Sequence, residues 1–327
     1  MNILISIQQP VRAWQIPESG VATLRQRFPD STFVYATDAE ARARGLVNCN
    51  VAFTWILSAA ELATAARLRW LHSSAVAVET LALPELFARG VTVSNSRGVQ
   101  ATPIAEHVMA VILALAKRLP YVLESQRESR WTQNDFVGDR LPWLLSGRTL
   151  GLIGTGTIGS AVAERARAFG MKVIAVRRRT RGEPVAGVDE IRPLDALDTM
   201  LAESDVLVIA APLTPETHRL IGAAQMARMK RGAVLVNVGR AKIIDEVALV
   251  DALRSGHLGG ASLDVYHKEP LPPDDPLWTS PNVVLTPHTS GFRQGHWEEV
   301  IDLFSDNLRR YQRGEPVAFQ VMPELGY

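Results

Sequence analysis

Along the first 95 residues, short apolar runs alternate with amphipathic stretches. Residues 2–7, 32–35, 51–55, 69–72 and 91–94 are apolar and β-prone, and turn-forming or polar residues bound them, so each predicts a buried strand. A helix is expected over 18–27. A second is expected behind Ser58 and Glu61, which form a capping box ahead of Leu62, Ala65, Ala66 and Leu68. This alternation predicts a small parallel α/β unit. Thr102 and Pro103 then mark a helix start, and the stretch to Lys117 is apolar almost all round. Such a helix is buried, between domains or at a subunit contact. Residues 120–147, with Trp131 and Trp143, are less regular and read as an arm or lid. From 149 the alternation resumes, with strands expected at 149–153, 172–176, 206–210, 233–236, 261–264 and 283–286. Helices are expected at 245–255 and 294–313. A doubly wound parallel sheet is the architecture that fits this order.

The sharpest local signal is GLIGTGTIGSAVAERARAFGMKVIAV, residues 151–176. It places Gly154, Gly156 and Gly159 between a strand and a helix, with a second strand following, which is the context a G-x-G-x-x-G dinucleotide loop requires. Gly154 permits the tight turn, Gly156 lets a pyrophosphate approach the backbone, and Gly159 lets the helix pack close to the strand. Thr155, Thr157 and Ile158 complete the loop, and the helix N-terminus offers N–H groups to the phosphates. The ribose of an NAD usually meets an acidic residue about 20 residues beyond the glycines. Here Arg177, Arg178, Arg179 and Arg181 come instead, and no carboxylate appears until Glu183. Guanidinium groups fork onto a 2′-phosphate, whereas a carboxylate repels it, so NADP is expected, with NAD as the alternative.

Composition narrows the class. The 327 residues suffice for two cores, and with 47% hydrophobic and 21% charged residues the chain is of soluble globular type. A formal net charge of +1 gives no reason to expect a nucleic-acid or membrane-surface partner. Cys49, the single cysteine, excludes an intrachain disulfide and a cysteine-rich metal site, and it fits a cytoplasmic location. The N-terminus lacks the features of a signal peptide and reads as a first strand. The longest apolar run, 108–116, is too short to span a bilayer.

Ligands of open parallel sheets bind past the carboxyl ends of the strands, which restricts the search for catalytic groups. Arg240 follows the strand at 233–236, Asp264 ends that at 261–264 with Glu269 shortly after, and His288 follows 283–286.

With HSSAVAVETL (72–81), ATPIAEH (101–107), GTGTIG, APLTPETHRLI (211–221), LVNVGRAKIIDEVAL (235–249), SLDVYHKEPLP (262–272) and PNVVLTPHTSG (281–291), the chain resembles the D-isomer-specific 2-hydroxyacid dehydrogenases nearly end to end. The resemblance is closest to the glyoxylate and hydroxypyruvate reductase branch. It implies a Rossmann cofactor domain, 99–287, inserted into a flavodoxin-like substrate domain made of 1–98 and a return at 288–327. It also implies a homodimer held largely by the 101–147 region, with Thr102, Pro212, Thr217, Val238 and Asp264 at the cofactor. Two departures stand out. Arg177 replaces the family's usual acidic residue, and the substrate loop reads SSAVAVE instead of a G-x-G-x-D type, leaving Ser73, Ser74, Ala75 and Val76 to point backbone N–H groups at a carboxylate.

Charge assigns the expected roles. Arg240 forks onto the carboxylate of a 2-oxo acid and polarises its ketone. His288 gives or takes the proton, and Glu269 orients His288 and favours its charged form. Of the other histidines, His72 and His296 are candidates for the pocket wall. Trp55, at the end of a first-domain strand, either shortens the substrate pocket and offers its indole N–H, or packs in the core. A dinucleotide-sensing, co-repressor-like protein of the same fold is the rival in a different functional class, and oxidation of formate or phosphite is the rival among enzymes.

Overall fold

In the computed structural model, which describes residues 1–178 and 184–323, the chain divides into two compact units, Met1–Val99 with Phe292–Tyr327, and Gln100–Gly291. The return to the first unit comes at Phe292, later than the 288 expected from the sequence, so His288 belongs to the second unit.

The first unit is built on five parallel strands, β1 (Asn2–Ser6), β2 (Thr32–Tyr35), β3 (Val51–Thr54), β4 (Trp70–Ser73) and β5 (Thr92–Asn95), in the order β2-β1-β3-β4-β5. That is the flavodoxin-like order. Ile3, Ile5, Val51, Phe53 and Trp70 pack on one face with Phe304 and Leu308 of the helix His296–Gln312, while Leu4, Ala52 and Leu71 pack on the other with Leu46, Leu62 and Leu86. Burial on both faces is why these strands read as continuous apolar runs. The Ser58 and Glu61 capping box is formed in full.

The second unit carries seven parallel strands, β6 (Thr149–Ile153), β7 (Lys172–Val176), β8 (Glu190–Arg192), β9 (Val206–Ile209), β10 (Val234–Asn237), β11 (Gly260–Leu263) and β12 (Val283–Leu285). Their order, β12-β11-β10-β9-β6-β7-β8, is the Rossmann order with one strand added, and the chain reverses direction across the sheet between β6 and β9. The apolar helix Ala101–Ala116 is buried inside this unit, where Val108, Ile112 and Leu115 join a cluster with Val162 and Ala166 of the helix Thr157–Ala168. It starts one residue before Thr102, with Gln100 at the N-cap position, so Thr102 lies in the first turn and caps nothing. The segment expected to be irregular contains the helix Leu119–Arg127 and two short 3-10 turns, Gln133–Asp135 and Gly138–Arg140. Among the described residues no helix is long and apolar enough to cross a membrane.

Candidate active site

β6 ends at Ile153 and the chain turns on Gly154 at a φ of 94°. A Cβ there would lie 2.9 Å from the Ala210 carbonyl oxygen, so position 154 requires glycine for both torsion and space. A Cβ on Gly159 would collide with the carbonyl oxygen of Gly154, which is the close helix-to-loop approach that glycine permits. Gly156 differs, because a Cβ built on it meets nothing within 4 Å. It faces open space at the N-cap of Thr157–Ala168, and no side chain caps that end. The first-turn N–H groups, those of Thr157 and Ile158 among them, are therefore free for an anion beside Thr155 and Gly156. A cradle of this shape fits the pyrophosphate of a dinucleotide.

Beyond β7, Arg177 is half-buried and its Nη1 donates to Thr155 Oγ1 at 3.4 Å, while its Nε is buried without a partner. Arg178 Nη1 lies 3.7 Å from Glu216 Oε1. Arg179, together with Arg181 and Glu183, lies outside the described residues. Thr217 turns its hydroxyl into its own loop, donating to the Pro212 carbonyl at 2.8 Å and accepting from Thr214 N at 2.7 Å, so it shapes the 212–217 turn. Val238 is buried, its N–H tied to the Ile209 carbonyl.

The register aligns Asn237 of β10 with Leu263 of β11, and Leu263 with Leu285 of β12. Arg240, Asp264 and His288 therefore follow the carboxyl ends of three adjacent strands. Asn237 fixes the turn that carries Arg240, since its Oδ1 accepts from Gly239 N at 3.0 Å and its Nδ2 donates to the Arg240 carbonyl at 3.2 Å. His288 adopts a φ of 55°, with its N–H bonded to the Thr286 carbonyl at 2.9 Å. For a residue with a Cβ that conformation costs on the order of 1–3 kcal/mol, the kind of strain that surrounding structure must hold in place. The holding group is Asp264, which is buried. Its Oδ1 accepts from Thr286 Oγ1 at 2.6 Å and from Thr289 N at 2.9 Å, and its Oδ2 accepts from Ser290 N at 3.1 Å and from the Ser290 hydroxyl. With both oxygens occupied, Asp264 clamps the loop that presents His288. The ring's Nδ1 lies 2.8 Å from Glu269 Oε2, and Glu269 Oε1 accepts from Tyr266 N at 3.0 Å. A carboxylate only accepts, so Nδ1 carries the proton and Nε2 is the nitrogen left for chemistry. The His288 side chain is 58% exposed, which leaves Nε2 reachable.

In the first unit the SSAVAVE loop departs from expectation. Ser74 N donates to the Thr54 carbonyl at 3.2 Å and Ala75 N to Ser73 Oγ at 3.2 Å, so these two N–H groups are turned into the fold. Val76 and Ala77 keep N–H groups without partners among the described residues, and the Ser74 hydroxyl is buried without one. The Trp55 indole N–H donates to the Gln8 carbonyl at 3.2 Å and is already engaged within the unit. His72 is no wall residue. It is fully buried between Phe53, Trp70 and Phe304, and burial pushes its pKa down to about 3. Trp70 Nε1 donates to Ser94 Oγ at 2.9 Å, which leaves the Ser94 hydroxyl proton to His72 Nδ1 at 2.8 Å. His296 is also buried, against Trp14 and Trp297, and burial with nearby Arg293 lowers its pKa to about 4.

Several residues of the site region lie within the motifs that carry the resemblance, yet the sequence assigns them no role. Thr286 and Ser290 flank His288 and become visible only as the donors that saturate Asp264. Tyr266 places its hydroxyl 2.9 Å from the carbonyls of both Leu263 and Thr286, joining the ends of β11 and β12. His107 Nε2 lies 3.4 Å from Thr286 Oγ1, and burial lowers its pKa while Asp264 opposes the shift. Among the described residues no cluster of His, Cys, Asp and Glu gathers to hold a metal.

Residues 109–290 match the family model of the D-isomer specific 2-hydroxyacid dehydrogenase, NAD binding domain. A glyoxylate reductase of Korarchaeum cryptofilum is 34% identical over 310 residues, 92% of each chain. A glyoxylate/hydroxypyruvate reductase B of Pectobacterium atrosepticum is 41% identical over 265 residues, 80% of this chain and 81% of that one. Among solved structures, a D-isomer specific 2-hydroxyacid dehydrogenase from Xanthobacter autotrophicus Py2 in complex with NADPH and MES superposes with a TM-score of 0.82. It is 30% identical and covers 99% of this chain and 100% of its own.

Proposed function

The chain belongs to the D-isomer specific 2-hydroxyacid dehydrogenase family, enzymes that use a nicotinamide dinucleotide, and we propose that this one reduces a short 2-oxo acid such as glyoxylate or hydroxypyruvate to the D-2-hydroxy acid with NADPH. The observation that carries the reading is the Glu269–His288 pair, 2.8 Å apart, past the ends of β11 and β12, with β11 next to β10, the strand leading to Arg240. Bound NADPH supplies the hydride that reaches C2. Arg240 forks onto the substrate carboxylate and stabilises negative charge growing on the C2 oxygen. His288 donates the Nε2 proton to that oxygen and recovers it in the reverse direction. Glu269 holds Nδ1, so the neutral ring presents one tautomer, with Nε2 toward the substrate.

The preference for NADPH rests on Arg177 and Arg178, which follow β7 where an acidic residue would repel a 2′-phosphate. The buried, unpartnered Nε of Arg177 supports it, and the Xanthobacter neighbour was solved with NADPH. A cytoplasmic homodimer is part of the proposal. Leu123, Trp131, Val137, Leu141 and Leu144 are all exposed, Trp131 by 90%, and exposed apolar groups so concentrated in one segment suit a subunit contact. The test is a panel of 2-oxo acids assayed with NADPH and NADH. The expected result is turnover of glyoxylate and hydroxypyruvate, with kcat/KM about ten to a hundredfold higher for NADPH, a ratio that the pair Arg177→Ala and Arg178→Ala reduces. Equal or better use of NADH refutes the coenzyme assignment, and faster turnover of bulky acids such as phenylpyruvate refutes the small-acid one.

A further inference from the structure

His267, a residue outside the catalytic set, joins the turn that follows Arg240 to the loop that carries Glu269. Its Nε2 lies 3.2 Å from the Ala241 carbonyl oxygen and 3.1 Å from that of Ile244. Carbonyls only accept, so Nε2 carries the proton and donates to both. Its backbone N–H donates to Glu246 Oε1 at 3.0 Å, and its Nδ1 lies 3.8 Å from Glu246 Oε2. The next residue back, Tyr266, donates its N–H to Glu269 Oε1, and Glu269 Oε2 holds His288. Hydrogen bonds on either side of the Tyr266–His267 peptide thus link the residues after Arg240 to Glu269 and the proton-transfer imidazole.

We propose that His267 is a positioning residue that sets the Arg240 turn against the Glu269–His288 pair, fixing where the substrate carboxylate sits relative to the proton donor. The inference rests on the roles proposed above for those three residues. The turn does not depend on His267 to fold. Ile243 and Ile244 are buried beneath it, and it is tied on another side where Arg219 N donates to the Lys242 carbonyl at 2.8 Å and Ile221 N to the Ile243 carbonyl at 3.0 Å. The His267 side chain is 38% exposed and lies at the surface, so shortening it leaves no enclosed cavity. What it adds is register between two loops, and a small misplacement of a binding group relative to a reacting one costs catalysis steeply.

The experiment compares wild type, His267→Ala and His267→Gln as full-length protein, with glyoxylate and NADPH as probes. A wild type that turns over no 2-oxo acid overturns the functional reading itself, before any variant is considered. Given an active wild type, His267→Ala is expected to lower kcat/KM by about ten to a hundredfold, with KM for the 2-oxo acid raised. Its thermal midpoint and its NADPH Kd, read from tryptophan fluorescence, should stay at wild-type values. His267→Gln keeps an N–H donor at similar reach and should recover most of the loss. Adding His267→Ala to Glu269→Gln should cost less than adding it to wild type, because the pair the staple serves is already impaired. Wild-type kcat/KM in His267→Ala, a loss matched by a fallen thermal midpoint, or a Gln variant as impaired as Ala overturns the proposal.

Discussion

Glu269 grips His288 with one carboxylate oxygen, Oε2 at 2.8 Å from Nδ1, while its other oxygen accepts the Tyr266 N–H at 3.0 Å. The carboxylate is thereby fixed at both ends, and the imidazole can rotate away only by breaking that bond. Replacing His288 with Ala should lower kcat by about 10²–10⁴-fold with NADPH affinity unchanged, because proton transfer alone is lost. Glu269→Gln should fall between that variant and wild type, since the ring remains but loses its charged anchor. Steady-state kinetics with an independent NADPH titration check both, and a Glu269→Gln enzyme with wild-type kcat removes Glu269 from the account.

Two glycines of one loop should respond in opposite ways. Gly159→Ala drives a methyl into the Gly154 carbonyl, and backbone there cannot yield, so a stability loss of about 3 kcal/mol or more is expected. Gly156→Ala meets open space and should leave stability within about 0.5 kcal/mol of wild type. It should still weaken NADPH binding tenfold or more, a cost of about 1.4 kcal/mol upward, by occupying the pyrophosphate's approach. Urea denaturation and NADPH titration separate the two, and a Gly156→Ala protein that binds normally places the phosphates elsewhere.

Asp264→Asn substitutes one acceptor oxygen with a donor facing N–H and O–H groups of the 286–290 loop. Leaving a buried donor unsatisfied costs about 1–3 kcal/mol, and His288 loses the clamp on its strained backbone. The variant should show both a lower thermal midpoint and a reduced kcat. A drop in kcat at an unchanged midpoint would point to a role for Asp264 at the cofactor instead of the clamp.

His72 gives the fold a pH dependence whose sign is fixed. Burial holds its pKa at about 3, against an ordinary value of 6.5 in the unfolded chain. Below pH 6.5 the unfolded state takes the proton and the folded state does not, so this contribution is intact above 6.5 and is lost as pH falls toward 3. The slope from one such group approaches about 1.4 kcal/mol per pH unit. Urea midpoints at pH 7 and pH 5 should fall less in His72→Gln than in wild type, and an equal fall in both proteins contradicts the assignment.

The doubly wound layout was legible because strands buried on both faces leave continuous apolar runs, as 206–209 and 233–236 do. Elements without such runs escaped. The edge strand β8 reads Glu-Ile-Arg and is only half-buried, and the helix Ala39–Asn48 is largely exposed and mixes alanines with charged residues, its start marked by Asp38 accepting from Ala41 N. In the candidate site, strand ends and family motifs pointed to Arg240, Glu269 and His288 one by one. The contact between Glu269 and His288 arises from the pairing of β11 with β12, which no spacing encodes. The inward turn of the Ser74 and Ala75 N–H groups was hidden for the same reason, since their partners come from β3 and from the hydroxyl of Ser73.

The proposed D-specific reduction of a short 2-oxo acid is tested most directly by following NADPH oxidation with hydroxypyruvate and determining the handedness of the glycerate formed. One equivalent of D-glycerate for each NADPH consumed is the expected result. Formation of the L-enantiomer, or no coenzyme oxidation with hydroxypyruvate, contradicts it.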